Sequence, residues 1–355
     1  MDNHGRFNKR LESITSDIYL KISKTDELKG MWIGGMKLSP QTLGRLKQSA
    51  LITSTGASTR IEGSGLSDEE IEKVIKGIKI QNFRNRDEQE VKGYFELLEN
   101  VFNNFNTLTF NENCIKSFHN ELLKYVEKDQ SHKGEYKNLP NHVELIDEPN
   151  NIVEVIFETT PPYLVSHQMH SLVEWTQNAL LAKKYHPLLV IGNFIVEFLK
   201  IHPFQDGNGR LSRILTSFLL LKEGYKYAEY SSHEKLIEEN KQEYYLSLMK
   251  SQKTFNKKME NILPWMNFFI DIMIKQAQYA VDFGSNDNIE SLLTKIQLKV
   301  WEYISKVGEA SPKDISQNTD IGRDTLRQVL NKLIKLKKVE KLGQGVGTYY
   351  RIIKD

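Results

Sequence analysis

The stretch IHPFQDGNGRLSR, residues 201–213, decides the fold because a short polar loop here joins two apolar helical patterns. A strongly apolar run opens at Pro187 and ends against the loop. After the loop, apolar residues recur at i, i+3, i+4, i+7 and i+8, namely Leu211, Ile214, Leu215, Phe218 and Leu219. Because Pro203 prevents an ordinary helix from continuing, we expect two buried helices with a polar turn between them.

The turn itself combines residue types that handle phosphate groups. The second helix begins near Gly207, so its free N–H groups can bind an anion with the help of the helix dipole. Arg210 and Arg213 lie three positions apart near the same end and can bind further phosphates. Asp206 is a hard oxygen ligand suited to Mg²⁺, and His202 can accept a proton. Each residue alone is ordinary, but together they predict group transfer on a phosphate chain.

The overall composition indicates an ordinary globular protein. A length of 355 residues predicts two or three domains, and a net charge of +2 does not by itself indicate a nucleic-acid binder. The single cysteine, Cys114, excludes an intramolecular disulfide. The polar N-terminus does not resemble a signal peptide, and no run is long and apolar enough to span a bilayer. We therefore expect a cytoplasmic protein without a membrane partner.

Three regions follow from the patterns along the chain. Residues 1–110 are rich in helix formers, and residues 111–282 contain the loop and its two helices. Within the second region, NHVELIDEPNNIVEVIFETTPP, residues 141–162, predicts a β-hairpin that turns near residues 147–151. The turn-rich FGSNDN, residues 283–288, predicts a boundary. Residues 289–355 then show three helical patterns and two short strands, the order of a winged-helix unit.

The segment HPFQDGNGRLSR resembles, at every fixed position, the signature HPFxDGNGRxxR of the Fic family. The resemblance covers residues from about 51 to 257. Fic proteins are mostly helical and typically transfer AMP from ATP to a hydroxyl group of a target protein. The resemblance therefore implies a mainly α fold: a Fic-type helical core with a small β-hairpin flap, followed by the C-terminal winged-helix domain.

Site residues are carried over by position in the motif. The resemblance implies that His202 is the general base and that Asp206 holds Mg²⁺. The implied ATP-binding set is Ile156, Phe157, Glu158, Thr159, Phe204, Gln205, Asp206, Gly207, Asn208, Gly209, Arg210, Arg213, Asn240, Tyr244 and Gln252. Phe204 would anchor the loop, and the last three residues of the set would line the adenine pocket. Residues 156–159 would pair with an extended target segment, or they would form an ordinary surface hairpin.

A second motif lies upstream, in a helix expected near residues 54–64. Ser58, Glu62 and Gly63 match the family's inhibitory pattern [S/T]xxxE[G/N]. The Glu62 carboxylate would form an ion pair with the Arg213 guanidinium and repel the outer phosphate, so we expect an autoinhibited enzyme. Alternatively, the segment is a solvated helix end, or Glu62 positions the water that removes AMP from a modified protein.

The C-terminal region is more basic than the whole chain. Residues 312–355 contain ten Lys or Arg and five Asp or Glu. This excess suggests contact with DNA, but a unit used for protein contacts or for a homodimer fits equally. The expected partners are ATP, an unidentified target protein, the chain itself through auto-modification, and candidate DNA. Two other functions stay open: a DNA-binding regulator whose core senses a nucleotide, and transfer of phosphate or another nucleotide moiety.

Overall fold

The computed structural model describes residues 3–35, 38, 40–77, 83, 85–147, 151–285, 293–336, 338–343 and 345–353. Helices dominate the described chain, as the sequence predicts. They are α1 Asn3–Glu12, α2 Ser16–Gly35, α3 Pro40–Ile61, α4 Asp68–Lys76, α5 Arg86–Asn104, α6 Glu112–Leu122, α7 Pro162–Ala182, α8 Pro187–Ile201, α9 Asn208–Lys222, α10 His233–Glu239, α11 Lys241–Gln252, α12 Leu263–Ser285, α13 Lys295–Val307, α14 Pro312–Thr319 and α15 Arg323–Lys335.

The core is built around α8 and α9. Between Leu188 and Leu199 every residue of α8 is buried, and α8 packs against α7, α9 and α12. The predicted apolar stripe of α9 is also buried, which confirms the two-helix interpretation. Burial of each large apolar side chain stabilises the fold by about 1.5–3 kcal/mol. The polar loop is therefore held between two helices that have little freedom to move.

The predicted hairpin is present. Strands β1, His142–Asp147, and β2, Asn151–Glu158, pair antiparallel from His142 opposite Glu158 to Asp147 opposite Asn151. The register shifts twice along this pair. Residues 148–150, at the predicted turn, lie outside the described chain. The hairpin leads directly into α7, whose first residue is Pro162.

Local capping signals fix the start of α4. The Ser67 hydroxyl accepts a hydrogen bond from the Glu70 N–H, and the Glu70 carboxylate accepts one from the Ser67 N–H. This reciprocal capping box satisfies two N–H groups that the start of a helix leaves free. Ile71 and Ile75 are buried on one face of α4 and attach the helix to the core.

The C-terminal region forms a unit with its own apolar cluster. It contains three helices, α13 to α15, and three strands. Strand β3, Glu309–Ala310, lies between α13 and α14, while β4, Val339–Leu342, and β5, Tyr349–Ile352, follow α15. These strands form an antiparallel sheet in the order β3-β5-β4, so one strand more is present than the sequence predicted. The assignment of this unit as a winged helix stays a prediction.

The domain boundary expected at residues 283–288 stays a prediction. Helix α12 continues through Phe283 to Ser285, because the buried Phe283 ring extends its apolar face. Residues 286–292 lie outside the described chain. Among the helices that the structure describes, none has both the length and the apolar character needed to cross a membrane.

Candidate active site

The polar loop runs from the end of α8 to the start of α9. His202 ends α8 in the left-handed region, with φ of 52°, and its N–H donates to the Phe198 carbonyl at 2.9 Å. Gly207 precedes α9 with φ of 76°. This positive φ favours glycine, and a Cβ atom at Gly207 would also make a tight contact of 3.3 Å with the Leu122 side chain. The two left-handed residues turn the chain sharply between the helices.

The His202 imidazole is held in one tautomer. Its Nδ1 lies 3.2 Å from the Leu199 carbonyl oxygen, which can only accept, so Nδ1 carries the proton. Nε2 therefore keeps a free lone pair. Burial lowers the pKa of His202 to about 4, and the ring is neutral at pH 7. A neutral ring with a free Nε2 lone pair has the form that a general base requires.

The interior of the loop is a packed hydrogen-bonded scaffold. Phe204 is fully buried, as predicted, and stacks on the His119 ring with 3.8 Å between centroids. The Asn208 side chain accepts from the Phe204 N–H at 2.9 Å and donates to the Phe204 carbonyl at 2.8 Å. His119 Nδ1 accepts from the Gly134 N–H at 2.8 Å, so its Nε2–H donates to the Asp206 carbonyl at 3.0 Å. The backbone of the loop is thus fixed.

The Asp206 carboxylate lies between two guanidinium groups. It accepts hydrogen bonds from Arg86 at 2.7 Å and from Arg210 at 3.0 Å. Burial opposes ionisation of Asp206, but the Arg210 charge, the Gly207 N–H and the Arg86 charge together outweigh burial and hold the pKa of this carboxyl below its usual range. Arg210 also forms an ion pair with Glu90 at 2.8 Å. Arg86 and Glu90, both on α5, were not predicted as site residues.

The oxygen atoms beside the loop fit a hard cation. Asp206 is ionised and 39% exposed, and Gln205 Oε1 is a buried acceptor without a hydrogen-bond partner among the described residues. No group of three or more His, Cys, Asp or Glu side chains in the described chain could hold a metal ion alone. Mg²⁺ commonly binds through one or two protein oxygens and completes its shell with phosphate and water. The donor set is compatible with that mode of binding.

Arg213 and Glu62 meet across the start of α9. Arg213 Nη2 donates to the Glu62 carboxylate at 2.7 Å and to the Ser58 carbonyl at 3.0 Å, and its Nε donates to the Ser58 hydroxyl at 2.7 Å. Burial opposes the Arg213 charge, but Glu62 together with Tyr244 and Tyr94 more than offsets burial and raises the pKa of Arg213. Arg213 Nη1 is buried and has no partner among the described residues. The structure therefore joins the predicted inhibitory and phosphate-binding residues.

Glu62 also covers the helix end itself. A Cβ atom at Gly209, in the first turn of α9, would collide with the Glu62 carboxylate. Glu62 follows the last residue of α3, and Gly63 turns the chain away with φ of 103°. A carboxylate at a helix N-terminus is electrostatically favourable, and it occupies the place that another anion would take.

The predicted adenine-pocket residues are integrated into the fold. Tyr244 is buried, with ring contacts at 5.9 Å to Trp265 and 5.8 Å to Phe268. Asn240 donates to the Leu236 carbonyl at 2.8 Å, and the buried Gln252 donates to the Val196 carbonyl at 3.0 Å. Their role toward adenine stays a prediction.

A buried ammonium group connects the flap to the loop. Lys137 Nζ donates to Thr159 Oγ1 and Asn141 Oδ1, each at 2.7 Å, and to the Ile201 carbonyl at 3.3 Å. The Lys137 N–H donates to the Pro203 carbonyl at 2.8 Å. Burial, and then the charge of Lys200, lower the pKa of Lys137 to about 8. For residues 156–158 the structure describes the backbone strand but not the side chains.

Sequence reasoning missed His119, Lys137 and Asn141. His119 lies 87 positions before its partner Asp206, and Lys137 lies 64 positions before Ile201. Neither stands in a motif of its own, so only the tertiary structure brings them to the loop. Their position in the sequence gave one hint, because Lys137 lies four residues before Asn141, the first residue of the predicted hairpin segment.

The assembled groups can hold a polyanion and deprotonate a hydroxyl. The start of α9 has no side-chain cap, and Arg210 Nε and Arg213 Nη1 are buried donors without a partner among the described residues. The neutral His202 ring lies at the opposite end of the same short loop. This combination suits transfer of a phosphorus group to an oxygen nucleophile.

Residues 109–220 match the Fic/DOC family. The chain is 33% identical over 81 residues to a probable protein adenylyltransferase of Aquifex aeolicus, covering 23% of this chain and 24% of that protein. It is 28% identical over 127 residues to the protein adenylyltransferase Fic of Aedes aegypti, covering 30% of this chain and 25% of that protein. The chain thus spans about a quarter of each relative.

The fold is also similar to that of solved structures. A Fic family protein from Desulfovibrio desulfuricans superposes with a TM-score of 0.64 at 22% identity, covering 97% of this chain and 98% of that one. This likeness shows a shared fold over nearly the whole length of both chains. The family match concerns about a third of the chain, and residues 109–220 therefore form a Fic/DOC family domain.

Proposed function

We propose that this protein transfers AMP from Mg-ATP to a hydroxyl side chain of a protein, and that Glu62 restrains the reaction. The observation that carries the proposal is the neutral His202 ring on the same short loop as the anion-binding start of α9. The names of the two adenylyltransferase relatives support the same reaction class.

The nucleotide phosphates would lie at the first turn of α9. Backbone N–H groups of residues 207–209 would donate to them, and the buried donors Arg210 Nε and Arg213 Nη1 are free to bind further phosphate oxygens. Asp206, with Gln205, would hold Mg²⁺. The bound ion supplies positive charge that offsets the negative charge of the phosphates.

The reaction itself is a displacement at the α-phosphorus. The target hydroxyl gives its proton to His202 Nε2 while its oxygen forms a bond to the α-phosphorus. The bond from that phosphorus to the bridging oxygen of the β-phosphate breaks, and pyrophosphate leaves with the electron pair. Because Nδ1 is hydrogen-bonded to the Leu199 carbonyl and the loop is packed, Nε2 is the ring nitrogen that accepts this proton.

The flap would present the target. Strand β2 pairs with β1 on one side, and within the described residues no other strand pairs with it. An extended target segment could add to that edge through main-chain hydrogen bonds. Lys137 would keep the flap end, at Thr159, in register with the catalytic loop.

Glu62 would act by displacing the outer phosphate. Its carboxylate already occupies Arg213 and covers Gly209, so a γ-phosphate at this position would meet negative charge and lose a donor. ATP would then bind with its α-phosphorus displaced from the line of attack. A misplacement of about 1 Å can reduce a rate by about 10²-fold.

The test uses the full chain with Mg-ATP labelled at the α-phosphate. We expect weak incorporation in the wild type, strong incorporation in Glu62→Gly, and none in Glu62→Gly combined with His202→Ala, although that double variant still binds ATP. Intact mass spectrometry should show an added AMP. A parallel reaction with γ-labelled ATP detects phosphate transfer instead. Absence of α-label from Glu62→Gly, with ATP bound, would refute the proposal.

DNA binding by the C-terminal unit is a second candidate function. Arg323 and Arg327 are exposed on the first half of α15, where they could contact a phosphate backbone. Two other residues of α15, Gln328 and Lys335, instead line a groove with α4. A shift assay with the full chain tests this function, since affinity that falls steeply with salt and weakens in Arg323→Ala would support it.

A further inference from the structure

The Arg60 side chain forms a cluster of ion pairs at the end of α3, two positions before Glu62. Arg60 Nε and Nη2 donate to the two carboxylate oxygens of Glu238, on α10, at 2.6 and 3.1 Å. Arg60 Nη1 donates to the Asp68 carboxylate at 2.8 Å and to the Leu66 carbonyl at 3.1 Å. Four hydrogen bonds therefore hold one guanidinium group between α3, α4 and α10.

This cluster packs tightly against α3. A Cβ atom at Gly56 would collide with the Asp68 carboxylate and the Arg60 guanidinium, so the two side chains cover the helix backbone at this glycine. The Asp68 side chain is 13% exposed and that of Arg60 is 23% exposed. Removing Arg60 would leave Asp68 and Glu238 without their counter-charge, and neutralising Asp68 would remove one of the two carboxylates that hold Arg60. Either change favours displacement of the helix end.

Helix α4, which begins with Asp68, also meets the C-terminal unit. The Thr294 hydroxyl donates to the Glu69 carboxylate at 3.0 Å and accepts from the Gln297 N–H at 3.2 Å. Glu69 is 4% exposed, so this contact is enclosed. Residues of α15, including Gln328 and Lys335, line a groove of about 560 Å³ with Glu69, Glu72, Lys73 and Gly77. The C-terminal unit thus borders α4 at two places.

We infer that Arg60 is the positioning residue for Glu62, and that α4, braced by the C-terminal unit through Thr294, holds Arg60 in place. The inference rests on the proposed function, since it concerns the restraint on that same site. Glu62 follows α3 directly, so a shift of its last turn moves the carboxylate away from Arg213. Displacing the C-terminal unit from α4 has the same effect through Asp68. This unit is then a regulatory element of the AMP transfer site.

The experiment measures α-labelled AMP incorporation in full-length variants. For Asp68→Asn and Arg60→Gln we expect roughly tenfold more label than in the wild type, which corresponds to about 1.4 kcal/mol of lost restraint. For Thr294→Val, which removes one hydrogen bond, we expect about a threefold increase. In the Glu62→Gly background all three substitutions should add nothing, because the restraint is already gone. Asp271→Asn is the matched control, since it breaks the Lys21–Asp271 ion pair between α2 and α12.

A second measurement does not depend on activity. Backbone hydrogen exchange at residues 58–64 should become faster in Asp68→Asn and in Arg60→Lys. Arg60→Lys is the more conservative change, because it keeps the positive charge and loses only the bidentate contact with Glu238. If Glu62→Gly is strongly active while Asp68→Asn and Arg60→Lys match the wild type in label and in exchange, the inference is wrong and the proposed function stands. If Glu62→Gly itself takes up no label, the proposed function is wrong, and the inference that rests on it is wrong too.

Discussion

The Glu62 carboxylate lies 2.7 Å from Arg213 Nη2, although 151 positions of the chain separate the two residues. Glu62 directly follows α3, and Arg213 lies on α9. Helix α5 packs against α3 and against α9. The same carboxylate covers Gly209. One side chain therefore pairs with the arginine that we propose binds phosphate and covers the start of α9, where the phosphates would lie.

The first prediction separates the charge of Glu62 from its size. Glu62→Gly removes both and should raise AMP incorporation by about 10²-fold, because the nucleotide can then align. Glu62→Gln keeps the size of the side chain without its charge, so its initial rate of AMP incorporation should lie between those of the wild type and Glu62→Gly. Glu243→Gln, exposed on α11, is the control and should match the wild type. A Glu62→Gln rate equal to that of the wild type would mean that charge is not the restraint.

The second prediction concerns pH. His202 acts as a base only while neutral, and its pKa is about 4, so activity is lost as the pH falls through that value. The Lys137 ammonium contributes to this low pKa by disfavouring the imidazolium. In Lys137→Met the pKa of His202 should therefore rise, and the acid limb of kcat/KM for ATP should move to higher pH.

Lys137→Arg provides the comparison for this effect. It retains the positive charge, so the acid limb should stay where it is in the parent protein even if the rate changes through altered contacts with Thr159. Both variants are best measured in the Glu62→Gly background, where the signal is strong. A Lys137→Met profile that moves to lower pH would contradict the assigned role of the ammonium charge.

The third prediction concerns the loop scaffold. Asn208→Ala removes two hydrogen bonds to the buried Phe204 backbone and leaves both backbone groups unpaired. The free energy of unfolding should fall by about 2–4 kcal/mol, and AMP incorporation should fall with it. Urea unfolding measures the first effect. Asn103→Ala, exposed on α5, should change stability by less than about 0.5 kcal/mol.

The fourth prediction uses His119, whose pKa burial lowers to about 4. In the unfolded chain this ring has a pKa near about 6.5, so between these values the unfolded state binds the extra proton. Stability should therefore decrease as the pH falls from about 6.5 to 4, by about 3 kcal/mol for this ring alone. The contribution is fully present above pH 6.5.

Urea unfolding at several pH values checks this contribution. His119→Gln should be less stable than the wild type at pH 7, because the stacking on Phe204 is lost. Its stability should nevertheless depend less steeply on pH below 6.5. An equally steep dependence in both proteins would assign the effect to other groups, such as His202.

Much of the fold followed from local patterns. The apolar periodicity of α8 and α9, the capping box of α4 and the β-branched runs of the hairpin each depend on neighbours within a few positions. The exact end of α12, at Ser285, did not follow from local patterns, because whether Phe283 continues the helix depends on the surface against which its ring packs.

By itself the sequence determined the helical class, the loop at residues 202–213 and the identity of its acid, base and arginine groups. These properties lie in short segments, where spacing along the chain corresponds to spacing in space. Only the tertiary structure decided that Glu62 rests on Arg213, that His119 and Lys137 hold the loop, and that Arg60 joins three helices. Such contacts depend on how distant helices pack together, which no local pattern of residues encodes.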